Sequence, residues 1–85
     1  VRGEFMLNII IYSKDGCPNC VTAKKLLKSK GLDYQEFDVG TPDGLVIFQA
    51  NVSAQHRQLP QIFINNQRVG GLAGLQAALK QIEGG

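Results

Sequence analysis

LNIIIYSKDGCPNCVTAKKLLKSKG, residues 7–31, changes its hydrophobic period halfway, and the rest of the chain is read outward from that change. LNIIIY (7–12) is an almost unbroken apolar, β-branched run, which suits a strand covered on both faces by helices. From Pro18 to Lys30 the spacing becomes helical: Cys20, Ala23 and Leu27 share a stripe with Leu26 beside it, and the lysines take the other side. Proline suits the first helical turn, where its missing N–H would have had no partner. Gly31 suits the C-terminal stop. Both cysteines of the chain, Cys17 and Cys20, therefore stand at a strand-to-helix junction, with Cys17 at the helix mouth.

Beyond this unit, DYQEFDV (33–39) alternates as a second strand with Phe37 and Val39 facing inward. Thr41-Pro42 starts a helix on which Leu45, Phe48 and Val52 are helically spaced, although Gly44 and Val46-Ile47 weaken that pattern. QIFI (61–64), Asn65-Asn66 and QRV (67–69) read as a hairpin, since asparagine tolerates the left-handed backbone of tight turns. After Gly70-Gly71, Leu72, Leu75, Leu79 and Ile82 trace one stripe of a last helix. The order is β-α-β-α-β-β-α. A right-handed crossover makes the first two strands parallel, and the hairpin adds two antiparallel strands. The expected fold is α/β and thioredoxin-like: a four-stranded mixed sheet, order 2-1-3-4, flanked by three helices.

Size and composition bound the function. Eighty-five residues make one small domain. With 44% hydrophobic and 19% charged residues and a net charge of +2, the chain is no nucleic-acid binder by charge. Lys24, Lys25, Lys28 and Lys30 fit a solvated helix face ending in a favourable dipole interaction. No apolar stretch approaches the roughly 20 residues that cross a bilayer, and no secretory signal is visible, so a cytoplasmic location is expected. VRGEF (1–5), before Met6, looks like a cloning remnant because Glu4-Phe5 is what a common restriction site encodes. That leaves residues 6–85 as the domain, and dropping Arg2 with Glu4 leaves the net charge unchanged.

In a reducing compartment a close cysteine pair is more often redox-active than structural. A bridge over so short a loop braces a turn rather than a domain. Zinc is disfavoured: a closed site takes four ligands, and recruiting His56 supplies a third at most. Three residues along a helix place two Cα atoms ~5 Å apart, inside the range a disulfide accepts, while both thiols also stand reduced without strain. A free thiol with pKa near ~8.5 is only a few per cent ionised at neutral pH. At Cys17 the helix's unpaired N–H groups and positive dipole end favour the anion, and Lys14 adds a nearby charge. Cys20, one turn inside, lacks that exposure. Cys17 is thus expected to attack and Cys20 to resolve the mixed disulfide. Tyr12 reads equally as a site-lining or a core aromatic.

CPNC after a strand, QLP (58–60) before the third strand and VGGL (69–72) opening the last helix resemble, in this order and spacing, the glutaredoxins of the thioredoxin superfamily. The resemblance spans about residues 6–83. It implies a glutathione-linked thiol–disulfide oxidoreductase that reduces protein disulfides or glutathione mixed disulfides by a dithiol cycle, while nothing in the sequence demands more than a monomer. Cys17 would be the nucleophile, Cys20 the resolving thiol and Pro60 the cis-proline facing them. For glutathione, Lys14 matches the lysine that meets a ligand carboxylate, Leu59 the residue whose backbone pairs with the cysteinyl unit, and Arg57 an arginine near the same ligand. Asn19 stands where the family usually has tyrosine, so an aromatic wall is missing. Ala73 and Gly74 replace the Thr or Asp residues that hold the γ-glutamyl end. Backbone N–H groups at Gly71, Leu72 and Ala73, at the start of the last helix, are left to bind that carboxylate, and glutathione recognition is expected to be weaker. Two alternatives follow from relatives: an electron donor to ribonucleotide reductase served by thioredoxin reductase, and a module holding an iron–sulfur cluster between two subunits through Cys17 and bound glutathione.

Overall fold

A computed structural model describes residues 8–84, with side chains as far as Gln81. Residues 1–5, Met6 and Leu7 lie outside the described residues, as does the side chain of Ile82. The elements run β1 (Ile9–Ser13), α1 (Pro18–Ser29), β2 (Gln35–Asp38), α2 (Pro42–Asn51), a short 3-10 helix (Ala54–His56), β3 (Gln61–Ile64), β4 (Gln67–Gly70) and α3 (Leu72–Gly84). The sheet order is β2-β1-β3-β4. β1 and β2 are parallel, and the other two pairings are antiparallel. This is the thioredoxin-like arrangement expected from the sequence, with element ends shifted by a residue or two.

The unbroken apolar run of β1 is explained by burial on both faces. Ile9 and Ile11 join Ile62, Ile64, Ala23, Leu27, Leu75 and Leu79 in a core between the sheet and the α1 and α3 helices. Tyr12 faces the other way, into a second cluster with Phe48 and Val52, against which Ile10, Phe37, Val39, Leu59 and Phe63 pack. Each fully buried aliphatic side chain contributes about 1.5–3 kcal/mol. Tyr12 is a core residue: its ring stacks on Phe37 and meets Phe48 and Phe63 edge-on, with centroids 5.3–6.0 Å away.

Helix α1 ends as its sequence demands. Gly31 adopts φ +70, its N–H bonds the Lys28 carbonyl, and Leu32 N–H reaches back to Leu27. That pair of bonds is a Schellman cap, which a residue with a Cβ accommodates poorly. The hairpin turn places Asn65 and Asn66 at φ 52 and 69, both left-handed, as a two-residue turn matched to strand twist requires.

Helix α2 forms where its spacing predicts but buries only part of its apolar stripe. Phe48 and Val52 are buried, but Leu45 is 40% exposed, and the inward position of the first turn belongs to Gly44. The cause is a close approach: a Cβ on Gly44 would run into the carbonyl of Asp38 at the end of β2. The helix mouth abuts the strand so tightly that only glycine fits. Leu45, one residue and ~100° further round, is turned towards solvent.

Candidate active site

The β1–α1 loop, Lys14–Gly16, delivers Cys17 to the N-cap of α1 with extended backbone, φ −105 and ψ 101. Pro18 takes the first helical position. The Cys17 sulfur accepts the backbone N–H of Cys20 at 3.2 Å, the role a serine or aspartate oxygen plays at an ordinary N-cap. A negatively charged sulfur accepts such a bond better than a neutral one, and no acidic side chain in the first turn competes for the positive end of the helix. Cys17 is half-buried, whereas Cys20 is 1% exposed and faces the core. The two sulfurs are joined as a disulfide, with Cα atoms 5.2 Å apart, as the helical spacing anticipates.

One distant segment reaches this sulfur, and a second packs behind it. The Leu59–Pro60 peptide is cis, and the Leu59 carbonyl oxygen stands 3.8 Å from Cys17 Sγ. Next to it, Gly71 lies so near the Pro60 carbonyl that a Cβ would come within 3.5 Å of that oxygen. Gly71 also accepts the Leu75 N–H at 2.9 Å, opening α3. The three short motifs at Cys17, Pro60 and Gly71, up to 54 residues apart in number, are thus linked in series, Cys17 to Leu59 and Pro60 to Gly71. Leu72 is half-buried and Ala73 exposed after Gly71. Gly74 admits no side chain, because a Cβ would overlap the Val69 carbonyl.

The outer candidates are less drawn in. Lys14 and Asn19 are exposed on either side of Cys17. Arg57 is turned to the α2 side, its guanidinium 5.5 Å over the Phe48 ring and its Nε donating to the Ser53 carbonyl at 3.2 Å. His56 is half-buried in the short 3-10 helix. Among the described residues no three His, Cys, Asp or Glu side chains gather as a metal site. No described helix is long and apolar enough to cross a membrane. A hollow of about 410 Å³ between Tyr12, Phe37, Ile47, Asn51 and Phe63 lies on the α2 face, and neither cysteine lines it.

Two buried polar residues flank the site and are not legible from the sequence as functional. Ser13, 2% exposed, ends β1 just before the cysteine loop and donates its hydroxyl to Glu36, which also receives Lys24 at 2.8 Å. Gln61, 4% exposed, follows Pro60 directly and accepts from Arg68 Nη1 at 3.4 Å. The one available signal is a polar residue adjoining an apolar strand run, which marks a position without naming its partner.

The sequence model of the glutaredoxin family matches residues 9–69. Glutaredoxin 3 of Escherichia coli K12 is 39% identical over 74 residues, spanning 85% of this chain and 86% of that protein. Among solved structures, the glutaredoxin of Brucella melitensis is 38% identical with a TM-score of 0.67, covering 89% of this chain and 82% of that one. The dithiolic glutaredoxin 2-C-Grx1 of Trypanosoma brucei brucei is 33% identical with a TM-score of 0.69, covering 87% and 78%.

Proposed function

The chain belongs to the glutaredoxin family and is a thiol–disulfide oxidoreductase; from that premise we propose that it works by a glutathione-linked dithiol cycle in the cytoplasm. The Cys17 thiolate attacks a protein disulfide or a glutathionylated thiol. One substrate sulfur leaves as a thiolate and the other stays bonded to Cys17. Cys20 then attacks Cys17, the Cys17–Cys20 bond forms, and the second substrate sulfur departs reduced. Two glutathione thiols reverse the sequence, giving the dithiol and oxidised glutathione. The family's potential of about −200 to −230 mV lies near the glutathione poise, so the cycle runs either way.

The observation that carries this reading is the setting of Cys17: its sulfur accepts a helix N-terminal N–H, bonds Cys20 and faces the Leu59 carbonyl. An extended cysteinyl unit laid along Leu59 would meet that backbone in strand-like pairing, with its sulfur beside Cys17. For the rest of glutathione, Lys14 offers a charge to one carboxylate and Gly71–Ala73 offer N–H groups to the other. The protein acts as a monomer needing no metal.

A second reading is favoured by one observation. Gly74 is packed against Val69 without room for a side chain, so the γ-glutamyl end finds less to hold. This supports thioredoxin reductase as recycling partner and ribonucleotide reductase as a recipient of electrons. The test is NADPH-coupled turnover of a glutathionylated substrate with glutathione and glutathione reductase, against the same assay with thioredoxin reductase. Turnover in the first arm is expected, and turnover confined to the second overturns the glutathione reading.

A further inference from the structure

On the α1 side of the sheet, two polar side chains from two other elements meet at one carboxylate of β2. Glu36 of β2 accepts the hydroxyl of Ser13 and the ammonium of Lys24 at the same oxygen. By strand register Glu36 lies opposite Ile11, so its side chain runs along β1 towards the end that delivers the cysteines. Ser13 leads directly into the loop before Cys17. Lys24 follows Cys20 by four residues on α1, which places their Cβ atoms about 5–6 Å apart on adjoining turns of one face.

We propose that Ser13, Glu36 and Lys24 form a redox-tuning network, in which Glu36, anchored by Ser13, offsets the Lys24 charge one turn of α1 from Cys20 and about two turns from Cys17, and thereby shifts the reduction potential of the pair. These are positioning residues, acting through charge and not through contact with substrate. Reduction of the pair creates a thiolate at Cys17, and oxidation removes it. A positive charge nearby stabilises the reduced form and makes the disulfide a stronger oxidant. The first turn of α1 carries no acidic residue, while Asp15 in the preceding loop also acts on Lys24 and stays in place when Glu36 is replaced. Lys24 without Glu36 would push the balance towards the reduced form. The network stays ionised at neutral pH. The Lys24 ammonium first, and the Ser13 hydroxyl second, hold the Glu36 carboxyl below its ordinary range, while Glu36 holds Lys24 above its own.

The inference rests on the reading of Cys17 and Cys20 as a reversible pair, but not on glutathione as reductant. The test therefore uses dithiothreitol: protein dithiol plus oxidised dithiothreitol gives protein disulfide plus reduced dithiothreitol, two electrons and two protons passing as one S–S bond forms and another breaks. Glu36→Gln is expected to shift this equilibrium about threefold towards the reduced protein, or about 14 mV at 29.6 mV per tenfold. Lys24→Met is expected to shift it about threefold the other way, and the double variant to return within about twofold of the unsubstituted protein. In 1 M salt, where the Debye length is about 3 Å, these differences should shrink. Shifts of the same sign in both single variants, shifts that salt leaves untouched, or none in either overturn the tuning role. Should Glu36→Gln fail to fold, Lys24→Met and its salt dependence carry the test alone. A normal dithiothreitol equilibrium in a protein that glutathione does not reduce would strike the glutathione reading and leave this one standing.

Discussion

Gly44→Ala sets two physical arguments against each other with opposite signs. By helix propensity, alanine should stabilise α2 by about 1 kcal/mol. By packing it should do the reverse. The new Cβ would overlap the Asp38 carbonyl and lie 3.0 Å from Thr41 Oγ1, the hydroxyl that caps α2 by accepting the Gly44 N–H at 3.1 Å. Relieving the overlap means shifting the helix mouth off the strand. Such overpacking costs about 1–3 kcal/mol, and loss of the cap about 1 kcal/mol more. Against the propensity gain, a net loss of about 1–3 kcal/mol remains. At 4–8 °C per kcal/mol for a domain of this size, the melting temperature should fall by about 5–20 °C. Thermal and urea unfolding followed by circular dichroism read this directly. Ala50→Gly, at an exposed position of the same helix, is the control and should lose only about 1 kcal/mol. A Gly44→Ala protein as stable as the parent, or more so, would refute the close-approach argument.

Other outcomes follow from the same geometry. Leu27→Ala, at a position with no exposure, should lower stability by about 2–5 kcal/mol, seen as a lower urea midpoint with little change in slope. Glu36 has a folded pKa below its unfolded one, through Lys24 first and Ser13 second. Its contribution is therefore complete above the ordinary carboxylate range and is lost as pH falls through the folded value. The pair is about one-third exposed, so screening keeps that contribution below about 1 kcal/mol. Melting temperatures of the parent and Glu36→Gln should differ slightly at pH 7 and draw together as the pH falls through the lowered folded value. Ala73→Asp adds a carboxylate at an exposed position in the first turn of α3, where a glutathione ammonium would meet it. The KM for a glutathionylated substrate should fall about twofold to fivefold with kcat little changed.

Local patterns carried most of the fold. The apolar run at Ile9–Tyr12, the helical stripe through Cys20, Ala23 and Leu27, Gly31 and Asn65-Asn66 each announce their structure through periodicity or backbone freedom, which neighbours in sequence decide. The two-sided burial of β1 followed from the same run. Long-range contact is where local reading fails. Leu45 looked as apolar as Phe48, and only the abutment of Gly44 on the end of β2 turns it outward. The pairing of Cys17 with Cys20 was legible because it lies within one helical turn. The placing of Arg57 over Phe48 and the gathering of Ser13, Lys24 and Glu36 depend on packing across elements, which residue spacing does not encode.

The central claim is that the helix mouth makes Cys17 the attacking thiolate while Cys20 waits one turn deeper. The pH dependence of alkylation of the fully reduced protein, with each modified cysteine located by mass spectrometry, tests it most directly. Cys17 should react first, with an inflection well below the ~8.5 of a free thiol, and Cys20 should lag by orders of magnitude at neutral pH. Prior alkylation of Cys20, or an inflection at Cys17 no lower than an ordinary thiol's, would contradict the account.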